Sequence, residues 1–274
     1  MTKNIKNAVW LNGRLRAETD AKISIYDRGF TLADGVFETM RVIDGSPLWL
    51  ANHLARLKTG ADVFGIPVPF DDAAIASGIR ALLDAKKLKA ASVRLMLTRG
   101  PSKARGLWPP ATPAKPTMIA IANKFTGASR PPLKLIIATT VRRNEHSPLS
   151  RIKSLNYGDN IVARREAEAR EADDALLMNG AGRIVCSTVG NVFARVDGEW
   201  RTPPIAEGVL AGTARRHLIP MIGAREVTLT MDDLARADAV FLSNSLSLLA
   251  VGWVEGRELE NIAPFLDGVP LFAV

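Results

Sequence analysis

Three short stretches of this chain hold residue types that do chemistry. Lys153 stands in Ile152-Lys153-Ser154-Leu155-Asn156-Tyr157. A lysine amine attacks carbonyl carbon once it is deprotonated, and desolvation favours the neutral form. Further on, Gly182-Arg183-Ile184-Val185-Cys186-Ser187-Thr188-Val189-Gly190-Asn191-Val192-Phe193 holds the chain's one cysteine. Third, Leu210-Ala211-Gly212-Thr213-Ala214-Arg215 reads as a glycine turn running into a helix, with Thr213 as the expected cap. Backbone N–H groups at such a start suit an anion, phosphate above all. The histidines, His53, His146 and His217, show no metal-ligand spacing, and no metal is expected. A lysine alone says nothing, because most lysines are solvated surface charges.

In that order and spacing the blocks resemble the fold type IV (class IV) pyridoxal-phosphate enzymes, which include branched-chain and D-amino acid transaminases and aminodeoxychorismate lyase. The resemblance runs from Ile25 to about Val254. It implies pyridoxal 5′-phosphate as cofactor, with Lys153 as the lysine that forms a Schiff base with its aldehyde. It implies Gly212, Thr213 and Ala214 at the phosphate, the local Gly-Thr-Ala-Arg standing where the family has Gly-Ile-Thr-Arg. Ser243 and Asn244, in Ser243-Asn244-Ser245-Leu246, match a second phosphate contact. Arg56, in His53-Leu54-Ala55-Arg56-Leu57, matches an arginine that the N-terminal part sends to the phosphate. The preceding block from Tyr26 to Thr39 is also similar, with Ala33 where a glycine is common. His53 reads as structural. Tyr157 matches a tyrosine near the cofactor's phenolic oxygen, although a tyrosine opening a helix also serves a core.

One position departs from the family. A glutamate usually faces the pyridine nitrogen, and here Cys186 matches it. A thiol does not hold a ring proton as a carboxylate does, so a weaker electron sink is expected. A reaction that needs less of a sink, a substitute group, or a degenerate site are the ways to accommodate it.

The loop Thr98-Arg99-Gly100-Pro101-Ser102-Lys103-Ala104-Arg105-Gly106-Leu107 bears on the substrate. In the family this loop crosses to the neighbouring subunit and offers an arginine to a carboxylate, so the resemblance implies a homodimer with a shared active site. A planar guanidinium binds a carboxylate in a bidentate manner, and Arg105 and Arg99 are the candidates. Arg105-Gly106-Leu107 looks like the Arg-Gly pattern of aminodeoxychorismate lyases rather than the Arg-x-His of D-amino acid transaminases. Aromatisation of the product supplies driving force to the lyase reaction, which also suits Cys186. The reading is therefore 4-amino-4-deoxychorismate lyase, with D-amino acid transaminase as the alternative. A branched-chain preference is disfavoured by the short chain and by the lack of an evident aromatic-rich N-terminal loop. A non-enzymatic basic anion-binding protein is the reading from another class; it predicts no cofactor absorbance and steep salt dependence.

The elements that must position these residues are legible in outline. Val9-Trp10-Leu11 runs into the turn Asn12-Gly13, and a strand over Gly35 to Ile43 turns at Asp44-Gly45, so the first 45 residues read as hairpins. Apolar spacing predicts helices over Leu50 to Phe64 and Asp71 to Leu88. Strands are expected over Ser92 to Thr98, Thr117 to Ala122 and Leu133 to Val141. A helix follows over Asn156 to Glu171 and another near Thr213, with strands around Gly180, Gly182 and Gly198 and over Val227 to Thr230 and Ala239 to Ser243. The Pro/Gly-rich loop from Gly100 to Pro116 is the expected linker. The fold class is α+β, with a smaller N-terminal α/β domain (residues 1–115) and, as the resemblance implies, a larger C-terminal β-barrel-like cofactor domain (residues 116–274).

Composition fits that picture. The 274 residues are 47 % hydrophobic and 23 % charged, ordinary for a globular protein. Net charge is +8, from 36 Lys and Arg against 28 Asp and Glu. The basic residues are scattered, and the cluster Lys86-Lys87-Leu88-Lys89 ends a predicted helix, where lysines are favoured. Nucleic acid is therefore not an expected partner, while a positive field attracts small anionic molecules. One cysteine allows no intrachain disulfide. The N-terminus lacks a signal peptide's apolar run, and polar residues interrupt the apolar stretch Ala237 to Val254, so no membrane span and a cytoplasmic location are expected.

Overall fold

The computed structural model describes residues 7–104, 106–108, 115–127 and 130–272. They form two compact units, residues 1–126 with 152–156 and residues 127–151 with 157–274.

The first unit opens with the hairpin β1 (Ala8–Leu11) and β2 (Arg14–Ala17). Its turn places Asn12 and Gly13 at φ 48° and 82°, the pair of positive angles that a two-residue hairpin requires and that Asn-Gly tolerates. A short helix, α1 (Arg28–Leu32), interrupts what the sequence suggested was all hairpin, because the Asp27 side chain accepts from Gly29 N and starts it. Then come β3 (Gly35–Ile43), β4 (Ser46–Pro47), α2 (Leu50–Phe64), α3 (Asp72–Lys86), β5 (Ala91–Thr98) and β6 (Thr117–Lys124). Asp71 caps α3 by accepting from Ala74 N. The strands make an antiparallel sheet in the order β2-β1-β6-β5-β3-β4. Trp10, Met40, Leu95, Leu97 and Met118 from the sheet meet Leu54, Leu57, Ile75, Ile79 and Leu82 from α2 and α3 in its core.

Two facts move the division of the chain from the expected one near residue 116. β6 pairs with β5 and β1, so it completes the first sheet. Residues 152–156 return to the same sheet, where Phe37 N donates to Lys153 O and Leu155 N to Gly35 O, both at 2.9 Å.

The second unit contains β7 (Leu133–Ile137), α4 (Gly158–Ala169), β8 (Asp174–Met178), β9 (Ile184–Ser187), β10 (Asn191–Val196), β11 (Glu199–Thr202), α5 (Thr213–Met221), β12 (Arg225–Glu226), α6 (Met231–Arg236), β13 (Ala239–Ser243), β14 (Leu248–Val254), β15 (Arg257–Glu258) and α7 (Ala263–Asp267). The strand path β10-β13-β14-β7-β8-β9 closes on itself through one more pairing, Asn191 opposite Cys186. This ring of six strands is the barrel that the resemblance implied. β7 runs parallel to β14 and β8, and α4 is part of the crossover that a parallel β7–β8 pair demands. Val192, Ala194, Val240, Leu242 and Val251 bury one side of the wall, and the Phe193 and Phe241 rings stack at 4.8 Å.

Residues 227–230, expected as a strand, contribute only an isolated bridge between Leu229 and Ile184. The strand in that region is Arg225–Glu226, paired with β11. Likewise β7 stops at Ile137, because Thr139 and Thr140 turn away to bind Glu166 of α4.

Candidate functional site

In the first unit, β3 organises the predicted residues. Glu38 lies on its core side and is fully buried. A buried carboxylate must be paired, and α2 supplies the partners. His53 and Arg56 are three residues apart and so share a face of that helix. His53 Nδ1 lies 2.6 Å from Glu38 Oε2, and Arg56 donates from Nε to Oε1 at 2.7 Å and from Nη2 to Oε2 at 2.6 Å. Burial raises the Glu38 pKa, but the bonds from Arg56 and His53 outweigh it and hold the carboxyl below its ordinary range. Arg56 is thus fixed in orientation by a bidentate ion pair.

Next along β3, Phe37 faces the other way. The Lys153 amine sits 4.3 Å from the centroid of its ring, and the Arg94 guanidinium 3.9 Å from it. The backbone bonds at residues 35–37 fix the Lys153 segment, and the aromatic face attracts the ammonium. One strand therefore sets the positions of both Lys153 and Arg56.

Arg99, one of the two expected carboxylate ligands, is held by groups of its own unit. It donates to Asp34 Oδ2 from Nε at 2.7 Å, to Asp34 Oδ1 and Phe64 O from Nη2, and to Gly65 O from Nη1 at 3.0 Å. Every nitrogen of this guanidinium is engaged in tying β5 to the end of α2. Arg105 lies outside the described residues. Its neighbour Leu107 accepts from Arg28 Nη2 at 2.6 Å, and Arg28 Nε is held by Asp34 at 2.8 Å.

In the second unit the remaining residues cluster around the closure of the barrel. Cys186 on β9, Asn191 on β10 and Ser243 on β13 are successive cross-strand partners, so their side chains share one face. Cys186 is buried, and that burial pushes its thiol up to about 11; Arg143 opposes the shift and Asp174 adds to it. The thiol is neutral at ordinary pH. Ser243 Oγ is buried and has no hydrogen-bond partner among the described residues. Asn244 accepts from Leu246 N at 2.9 Å and Ser247 N at 3.1 Å, closing the β13–β14 turn. Tyr157 is the residue from which α4 starts, its carbonyl accepting from Ile161 N.

Gly212, not Thr213, caps α5, which corrects the expected role of Thr213. Thr213 is the first helical residue and Ala214 the second; both are buried. Because glycine has no side chain to turn back, the cap residue makes no side-chain bond to the first amides of α5. Arg215, by contrast, points to Pro203 O at 2.9 Å and to Glu226, away from that start.

Sequence reasoning gave no role to Asn191 or Glu38. A buried acid beside a helix His-x-x-Arg was the available signal for Glu38. Asn191 gave none, because its partner turn is distant in the chain. Among the described residues no cluster of His, Cys, Asp or Glu could hold a metal ion, and no helix is long and apolar enough to cross a membrane.

Comparison with known proteins fits this geometry. A Methanocaldococcus jannaschii protein with a provisional branched-chain-amino-acid aminotransferase assignment is 32 % identical over 265 residues, spanning 92 % of this chain and 90 % of that one. D-alanine aminotransferase of Bacillus licheniformis is 28 % identical, spanning 93 % and 91 %. The crystal structure of a Legionella pneumophila protein, provisionally a 4-amino-4-deoxychorismate lyase, is 29 % identical with a TM-score of 0.83 and covers 92 % of this chain and 94 % of that one. The model of the amino-transferase class IV family matches residues 35–252. With the two units built as described, this chain belongs to the amino-transferase class IV family.

Proposed function

We propose that the chain is a pyridoxal 5′-phosphate enzyme that eliminates pyruvate from 4-amino-4-deoxychorismate to give 4-aminobenzoate. The observation that carries this choice is Cys186. A buried thiol with its pKa raised to about 11 holds no negative charge to keep a proton on a pyridine nitrogen. Elimination that ends in an aromatic ring tolerates the weaker sink. The residues present fit the cofactor. The amides that begin α5 receive no side-chain bond from the cap residue, the buried Ser243 Oγ lacks a partner among the described residues, and Arg56 is held rigid by Glu38. These are the phosphate-holding groups of the proposal, with Asn244 shaping the turn after Ser243 and Tyr157 serving the phenolic oxygen.

When bound, the cofactor supplies a carbonyl for the substrate amine and a conjugated ring that accepts electrons. Lys153 takes the proton from the amine-bearing ring carbon of the substrate while the enolpyruvyl C–O bond breaks. The enolpyruvate leaves as its enolate, takes one proton at carbon and becomes pyruvate. Arg105 holds a substrate carboxylate, since each nitrogen of Arg99 already donates to Asp34, Phe64 or Gly65.

The similarity to D-alanine aminotransferase favours a second reading, in which Lys153 moves the proton between Cα and the cofactor's C4′. One experiment separates the two. The cofactor-loaded protein is given 4-amino-4-deoxychorismate, and separately D-alanine or L-leucine. Release of 4-aminobenzoate without a change of the yellow band on adding amino acids supports the lyase. Collapse of that band with D-alanine makes the chain a D-amino acid transaminase, and collapse with L-leucine a branched-chain one.

The homodimer belongs to the same proposal. Ile25, Phe30, Leu107 and Trp108 of the first unit are exposed, Trp108 by 87 %, and large apolar side chains of this kind support the proposed interface.

A further inference from the structure

Asn191 occupies the one register position where the six-strand ring closes. Its Cα partners are Cys186 on β9 and Ser243 on β13. From there its side chain reaches out of the wall, and Nδ2 donates to Leu210 O at 3.0 Å. Leu210 also accepts from Gly212 N at 2.7 Å, so this single carbonyl receives both the wall's amide and the turn's own. The turn lies so tightly on Asn191 that a Cβ at Gly212 would fall on Asn191 Oδ1. Gly190, on the other side, is equally confined: a Cβ there would lie 2.8 Å from Ser243 O.

We propose that Asn191 is the positioning residue that sets the anion-binding turn of α5, by locking Leu210–Gly212 onto the barrel closure. The proposal rests on the reading that the α5 start holds the cofactor phosphate. Free amides bind an anion only if they converge on it, and the cap of α5, a glycine, has no side chain with which to fix that convergence. Asn191 supplies the constraint through a buried amide, the group best suited to donate to a carbonyl while pressing its oxygen side against a residue with no side chain. It also brings the unpartnered Ser243 Oγ to a fixed place on the same face. Asn191 touches no reacting atom; it acts through the turn.

The test uses the full chain freed of cofactor. The dissociation constants of pyridoxamine 5′-phosphate and of pyridoxamine are measured for wild type and for Asn191→Ala. Neither probe has the aldehyde, so the ratio of the two constants reads the grip on phosphate alone. The expected result is that Asn191→Ala weakens pyridoxamine 5′-phosphate by about tenfold and changes pyridoxamine by less than about twofold. Equal weakening of both probes, or no change in either, overturns the role of Asn191, because loss of general structure does not discriminate between them. Asn191→Asp, the same size but with the donor replaced by an acceptor, is read in the same way and stands in if the alanine variant does not fold. A wild-type protein that binds both probes equally overturns the phosphate reading of α5 itself, and with it this proposal.

Discussion

Replacing Lys153 with alanine removes an amine held by β3 and the Phe37 ring while leaving the backbone pairing of its segment in place. On the proposed lyase reading, the expected outcome is loss of 4-aminobenzoate formation by at least about a thousandfold with far-UV circular dichroism unchanged; a variant that keeps a tenth of its activity refutes the role. Cys186 makes the opposite prediction. Its thiol is neutral, so Cys186→Ala forfeits only a weak contact and slows elimination by less than about tenfold. A loss near that of Lys153→Ala would mean that position 186 carries charge. The same raised pKa predicts that alkylation by iodoacetamide stays slow until the solution nears pH 11. The thiolate is the reactive form, and burial withholds it.

β3 is the element on which the first unit depends, since consecutive residues of it serve Lys153 and Arg56. Glu38→Ala strips the carboxylate from a buried imidazole and guanidinium. Breaking one side of such a pair costs about 3–5 kcal/mol, and urea unfolding is expected to show a loss of that order. The sign with pH follows from the depressed pKa. The contribution is present in full above the ordinary value of 4.5 and is lost as the pH falls through the lower folded value. The acid limb of the wild-type stability curve should therefore be steeper than that of the variant. At α5, Gly212→Ala is expected to destabilise by about 1–3 kcal/mol, because the new methyl group meets Asn191.

At the scale of the whole chain, the connection of β7 to α4 is fixed by an acid. Glu166 accepts from the amides and hydroxyls of Thr139 and Thr140. Burial raises its pKa, but these four donors prevail and bring it from 4.5 down to about 2. Its stabilisation is complete above pH 4.5 and drains away between there and about pH 2. Glu166→Gln should flatten that interval in denaturant titrations, and an unchanged slope would assign acid unfolding to other groups. Assembly is the other property at this scale. Light scattering is expected to give twice the chain mass, and Phe30→Glu with Trp108→Glu to halve it, because both rings are exposed on the first unit.

The sequence by itself determined what local physics dictates. Asn12-Gly13 and Asp44-Gly45 set their turns by tolerance of positive φ, and the apolar spacing of Leu50, Leu54, Leu57 and Ala61 placed α2 to the residue. The block order around Lys153, Cys186 and Gly212 gave the family and the barrel. It also named Lys153 and Arg56, although the sequence did not reveal that both answer to one strand. Only the tertiary structure decided the rest. The partners of Arg99, Asp34 and two carbonyls, come from segments far away in the chain. Gly212 takes the cap position expected of Thr213, and its turn is pressed against Asn191, a residue of a separate strand. β6 looked like the start of the second domain, and strand pairing gave it to the first. Turn and helix signals lie within a few residues of what they specify, whereas the partners of a guanidinium, an asparagine or a sheet strand such as β6 are settled by which distant segments the fold brings together.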